Sequence, residues 1–189
     1  GIDLREANLT GATLAVANLA GVNLKGADLA GVNLRGVNLF GADLSEANLT
    51  GTNLAGAKLT GTFLIGANLN QTVLINADLT DAKIEQGKLD QVLLCNSKLI
   101  DGTISGCGLS WQNLSTVDLR DMDLAGANLT GTNLTEADLA GVNLAGADLR
   151  EIDLTRVDLT GIDLTGANMR GANLTWVDLT GANMKGVDL

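Results

Sequence analysis

The sequence predicts an all-β solenoid, a parallel coil built from four five-residue sides. Three observations lead there. Leucine recurs at every fifth position, glycine recurs two residues after it, and irregular residues in the middle of the chain match at a spacing of twenty.

The five-residue period excludes the ordinary elements. Of the 38 positions from Leu4 to Leu189 in steps of five, 34 are Leu; the others are Ile84, Ile104, Met169 and Met184, and the register contains no insertion or deletion. A helix advances about 100° per residue, so leucines five apart would rotate by about 140° and spray around its axis. A straight strand alternates faces, so an odd spacing would send successive leucines to opposite sides. A short strand followed by a corner meets the period. In Ala147-Asp148-Leu149-Arg150-Glu151, Ala147 and Leu149 then point inward, Asp148 and Arg150 point outward, and the fifth residue turns the chain.

The corner explains the glycines. That position holds Gly 21 times, Gly1 included, and only Gly87, Gly102 and Gly108 lie elsewhere. A tight type II turn needs positive φ at its third residue, which glycine adopts without a steric penalty. Coils of this kind stack around a Leu-filled axis, hydrogen-bonded about 4.8 Å apart.

The number of sides comes from the less regular residues. At a spacing of twenty, Gln71 meets Gln91, Val73 meets Leu93 and Asn76 meets Asn96, while Lys58, Asp78, Lys98 and Asp118 alternate in sign. Twenty residues make four sides. The inward column Ala82, Gly102, Met122 then reads as compensation, the methionine filling space beside the glycine. Gln112 falls on an inward position, where its amide needs partners, and a backbone group is the expected one.

The A-(D/N)-L-X-X units, as in ADLAG at 27–31 and ANLTG at 127–131, resemble the pentapeptide repeat family in one register over the whole chain. The resemblance implies a right-handed, four-sided parallel β-helix. With twenty residues per coil, 189 residues give about nine and a half coils. The expected organisation is a single domain, 1–189, with an irregular surface pattern at 58–112.

Composition narrows the function classes. The net charge is −10, which opposes direct binding to nucleic acid phosphates and suits a cationic partner. No apolar run is long enough to span a membrane, and no targeting segment is visible, so localisation is left unassigned. Histidine is absent, which removes Ser–His and Cys–His catalysis as well as an ordinary zinc site. The reading is a non-enzyme without a cofactor. The two cysteines, Cys95 and Cys107, are placed by the repeat outward and inward respectively, which argues against a disulfide. Gly1 begins inside a repeat and Leu189 stops on a central leucine. Open coils expose core residues and unpaired backbone, so the reading is that caps were trimmed; native ends would instead self-associate end-on.

Three surface features are candidate sites. Asp81, Asp101 and Asp121 share a corner column, a weak candidate for a cation. Asp118, Asp138, Asp158 and Asp178 form an acidic column, and from Asp118 onward the chain carries 12 acidic and 5 basic residues. The resemblance brings in relatives that imitate duplex DNA and occupy DNA gyrase, so the column allows such mimicry; this chain lacks the central Phe residues and interrupting loops of those relatives. The third feature is the middle. Ten repeats lack Asn or Asp before the central residue, and nine of them lie between Lys58 and Gly108. There the alternation places Val73, Ile75, Leu93, Cys95 and Trp111 on one outward face, rimmed by Gln71 and Gln91, with Phe63 and Ile65 as a separate patch. Clustered apolar groups with a polar rim mark partner-binding surfaces. The function read from all this is a scaffold or protein-interaction module, the alternatives being a gyrase-directed DNA mimic and an accessory domain of a longer protein.

Overall fold

The computed structural model describes residues 2–85 and 87–189. Its backbone is built from single-residue parallel bridges joining positions twenty apart, such as Asp3 to Asn23, Asn23 to Asp43 and Asp43 to Phe63. Each bridge falls on the residue before a central leucine. The leucine amide donates to the carbonyl nineteen residues on, as Leu24 does to Asp43 at 2.7 Å and Leu144 to Asp163 at 3.0 Å. Four sides of five residues therefore pass before the chain returns to the same column.

The corners follow from the turn chemistry. In each unit the residue three after the central leucine donates back to that leucine's carbonyl, as in Ala27 to Leu24 at 3.0 Å. The residue between, two after the leucine, has positive φ: 64° at Gly21, but also 58° at Glu6 and 60° at Trp111. Glycine is thus favoured at the corner without being required, and the non-glycine corners bear some strain.

The chain forms two compact units, Gly1–Gly106 and Cys107–Leu189. Within each, the central leucines are sealed: Leu24 through Leu79 in the first and Leu109 through Leu164 in the second. Inward polar groups are satisfied by the backbone. Thr52, Thr62, Thr72 and Thr132 each donate to the carbonyl of the leucine 23 residues earlier, at 2.7–2.8 Å. Gln112 is half-buried, and its amide reaches the Ser110 carbonyl at 3.4 Å.

The unbroken register expected from the sequence is interrupted twice between Ile84 and Gly108, although Leu93 and Lys98 stay bridged to Val73 and Asp78. Gly87 takes φ 84°, and Lys88–Gln91 winds into a short 3-10 helix. Farther on, Ser97–Ser105 is an antiparallel hairpin: Ser105 donates to Ser97, Leu99 to Thr103 and Gly102 to Leu99, with Lys98 bridged to Ile104. Gly102, at φ 82°, closes a three-residue loop, Ile100-Asp101-Gly102, with the left-handed third residue such loops need. Asp101 fixes it by accepting from the Thr103 amide and hydroxyl at 3.0 and 2.7 Å. Gly102 is therefore not the inward partner of Met122, and Ile104, on a central position, is 63% exposed. Cys95 and Cys107 are both disulfide-bonded, which corrects the expectation for them. Cys95 stays on the ladder, its carbonyl accepting from the Asn76 amide at 2.8 Å, while Cys107 follows the hairpin, so the alternation of the repeat does not carry from one to the other.

Candidate functional site

The outward surface of each coil is organised by the Asn or Asp before the central leucine. Its side-chain oxygen accepts the backbone N–H two residues on: Asp28 from Ala30 at 3.2 Å, Asn53 from Ala55 at 3.0 Å, Asp158 from Thr160 at 2.8 Å. That amide lies at the corner, where the ladder offers no carbonyl, and a short Asx side chain supplies one. Neighbouring coils are also tied through these side chains. Asn48 donates its amide to Asp28 at 2.9 Å, Asn143 to Asp123 at 3.1 Å and Asn173 to Asp153 at 3.3 Å. The result is a set of fixed columns of carboxylates and carboxamides one coil apart.

The column Asp118, Asp138, Asp158, Asp178 lies on one side of the second unit, with Asp118 bridged to Asp138 and Asp158 to Asp178. Arg120 reaches Asp118 at 2.7 Å and Asp138 at 3.3 Å. Hydrogen bonds from Thr160 hold the Asp158 carboxyl below its ordinary pKa against the opposing charge of Asp178, and Thr180 does the same for Asp178. The Asp118 carboxylate raises the pKa of Arg120. Arg120 sits at the Asp118 end of the column, and Asp158 and Asp178 at the other end have no basic partner of that kind among the described residues.

The predicted apolar face is not on the surface. Val73 is 4% exposed, Ile75 and Cys95 are fully buried, and Leu93 is half-buried. Asn53 and Ala55, one coil earlier on the same side, are buried as well. This side is packed over within the folded chain, which explains why its outward positions are small or apolar. Val73 and Leu93 are bridged as expected, and the Gln71 amide meets the Gln91 carbonyl at 3.0 Å. Trp111 belongs to the other unit and is 67% exposed. Its ring lies where a Cβ on Gly131 would stand, 2.3 Å from the nearest ring atoms.

The Asp81, Asp101, Asp121 column is not formed as expected, because Asp101 sits in the hairpin loop rather than at a coil corner. Among the described residues no group of three or more His, Cys, Asp or Glu could hold a metal ion, and no helix is long and apolar enough to cross a membrane. Phe63 and Ile65 do face outward, each 47% exposed. The sequence reading passed over Phe40, which lines a groove of about 490 Å³ with Lys58, Thr60 and Asp78 in the first unit; its place one residue after a central leucine was the available signal.

A family described as pentapeptide repeats matches eight copies within residues 17–54, 52–91, 113–150 and 147–186. The matches leave out 92–112, part of the stretch where the coil breaks. No curated protein matches the chain. Among solved structures, the chain is similar to HetL, a pentapeptide repeat protein involved in heterocyst differentiation regulation from the cyanobacterium Nostoc sp. strain PCC 7120. They share 34% identity over 99% of this chain and 72% of that one, with a TM-score of 0.51. Full-length QnrB1, a plasmid-mediated fluoroquinolone resistance protein, shares 16% over 100% and 90%, with a TM-score of 0.40. Rfr23, from the cyanobacterium Cyanothece 51142, shares 24% over 88% and 90%, with a TM-score of 0.24.

Proposed function

Because the chain belongs to the pentapeptide repeat family, we propose that it works as a scaffold that binds a protein partner, without catalysis, on a right-handed four-sided coil. The observation that carries this reading is the fixed outward ladder, and above all the Asp138, Asp158, Asp178 column. Side chains held by hydrogen bonds to their own corner lose little entropy when a partner docks, and aligned like charges steer and select a basic surface.

The same column supports one second reading, a DNA mimic acting on DNA gyrase or a similar DNA-binding enzyme, since an array of fixed negative charges is what such an enzyme's groove recognises. One experiment covers both. Partners are captured from lysate by crosslinking to the parent chain and to an Asp158→Lys, Asp178→Lys variant, and gyrase supercoiling is assayed with each. A partner lost on charge reversal, with supercoiling unaffected, supports the scaffold. Inhibition of supercoiling by the parent but not by the variant supports mimicry. Identical capture by both chains overturns the assignment to this face.

A further inference from the structure

One coil interface in the second unit differs from its neighbours. Among the described residues of Cys107–Leu189, every pair of bridge positions twenty apart is joined except Asp138 and Asp158. The interface before it is closed: Thr116 donates to Thr135 at 3.0 Å, Leu119 to Asp138 at 2.9 Å and Asp121 to Ala140 at 2.9 Å. The one after it keeps Arg156 to Thr175 at 3.0 Å, Leu159 to Asp178 at 2.9 Å and Gly161 to Thr180 at 3.0 Å, lacking only the bond from the Asp178 amide. Between them, the amides of Glu136, Leu139, Gly141 and Asp158 make none of the equivalent bonds. A cleft of about 340 Å³ lies there, lined by Glu136, Asp138, Arg156, Asp158 and Thr160 among others. Leu139 and Leu159 stay buried, and the adjoining sides stay bridged through Asn133–Asp153 and Asn143–Asp163. The rung itself is lost on one wall only, the adjoining side losing just the Asp163 amide's bond.

Two features of the sequence coincide at this place. Elsewhere in the second unit the large corner residues Trp111, Asp121 and Glu151 each lie over a glycine twenty residues on, as Glu46 does in the first, where Gln71 over Gln91 and Asn76 over Asn96 are smaller exceptions. A Cβ on Gly141 would stand 2.5 Å from Asp121, one on Gly131 2.3 Å from Trp111, and one on Gly66 3.2 Å from Glu46. This corner column reads Thr116, Glu136, Arg156, Trp176, all at positive φ, with no glycine to receive any of them. The adjoining outward column stacks carboxylate on carboxylate, where other columns place an amide donor next to an acid. Arg120 clips the first interface by spanning Asp118 and Asp138. Arg156 and Glu136 meet only at 3.8 Å and are exposed, a pairing of little strength. The interfaces after the clip share the same crowding and repulsion, and opening at the first of them relieves the stack and leaves the next one bonded.

We propose that the Asp138–Asp158 rung is a built-in seam, the place where the wall of the second unit parts first and lets water reach the backbone. Native-state hydrogen exchange tests it residue by residue. The amides of Leu139, Gly141 and Asp158 should exchange about tenfold or more faster than those of Leu119, Asp121 and Leu159, the factor that one lost hydrogen bond can produce. An Arg156→Gly, Asp158→Asn variant supplies the missing glycine and an amide donor, and should slow Leu139 and Gly141 to the rate of their neighbours. Arg120→Ala should in turn speed Leu119 and Asp121. Uniform exchange along the three interfaces of the parent overturns the proposal, as does a folded double variant that gains no protection.

Discussion

Replacing Leu144 by Ala probes the burial that holds each coil to the next. Leu144 is fully buried, one coil from Leu124 and Leu164, which are buried to the same degree. The substitution removes about three methylene equivalents at about 0.8 kcal/mol each, or about 2.4 kcal/mol of transfer free energy. The cavity adds to this, because the backbone on either side is pinned. The Leu144 amide is bonded to Asp163, and the Ala147 and Asn143 amides to Leu144 and Met122, so the flanking leucines cannot slide inward to fill the space. A total of about 3–5 kcal/mol follows, the upper part of the range for buried Leu→Ala changes. Urea unfolding followed by far-UV circular dichroism measures it, with Leu179→Ala as the comparison, since Leu179 is half-buried and should cost clearly less. A loss below about 1 kcal/mol for Leu144→Ala, or equal losses for the two variants, would refute the inward assignment and the pinned-coil argument together.

Gly131→Ala should destabilise the second unit by more than about 1 kcal/mol, through its φ of 64° and the Trp111 ring in the space of the new Cβ; thermal melts of this variant with and without Trp111→Ala should show the ring's share as a coupling energy. Acid should weaken the fold in one direction. Asp148, Asp153, Asp158, Asp163 and Asp178 all have lowered pKa values in the folded chain, the first from its hydrogen bonds with Arg150 and the others from those with the threonine two residues on. Their contribution is therefore fully present above the unfolded aspartate pKa of about 3.9 and lost as pH falls through the lower folded values. Stability measured by urea titration should be level from neutral pH to about pH 5 and fall below about pH 4; a fall between pH 8 and 6 would contradict these assignments. Gly102→Val should destabilise the hairpin, whose third loop residue stands at φ 82°, and should speed exchange of the Leu99 and Ser105 amides while leaving Leu144 unaffected.

The coil was legible because its signal is redundant. Any one leucine could be changed, as Met169 and Ile84 show, and the period would still stand out. The corners were legible for the same reason, although Glu6 and Trp111 adopt the glycine conformation without being glycine. The break was less visible, because Leu89, Leu94, Leu99 and Ile104 keep the period across a 3-10 turn and a hairpin that interrupt the coil. The signal that marked it was Asp101-Gly102, a hairpin dipeptide that the repeat register absorbed as an inward position. The predicted binding face failed at a different level. Alternation assigns Val73 and Ile75 outward positions, yet both are buried, and what packs over a surface is a tertiary fact that local periodicity does not carry. The Asx residues were counted but not explained; their cause, an unpaired corner amide two residues on, becomes visible only with the turn in place.

Everything argued about columns, corners and the acidic ladder depends on a return after twenty residues. Scalar couplings across hydrogen bonds, measured by NMR on the isotope-labelled chain, report that register directly. Couplings from the central leucine amides to the carbonyl nineteen residues on, such as Leu24 to Asp43, Leu74 to Leu93, Leu129 to Asp148 and Leu144 to Asp163, are the predicted result, with the series interrupted at Leu89, Leu94 and Leu99 and again at Leu139. Couplings to carbonyls five residues nearer or farther, as a three-sided or five-sided coil would give, would contradict it and dissolve every column described above.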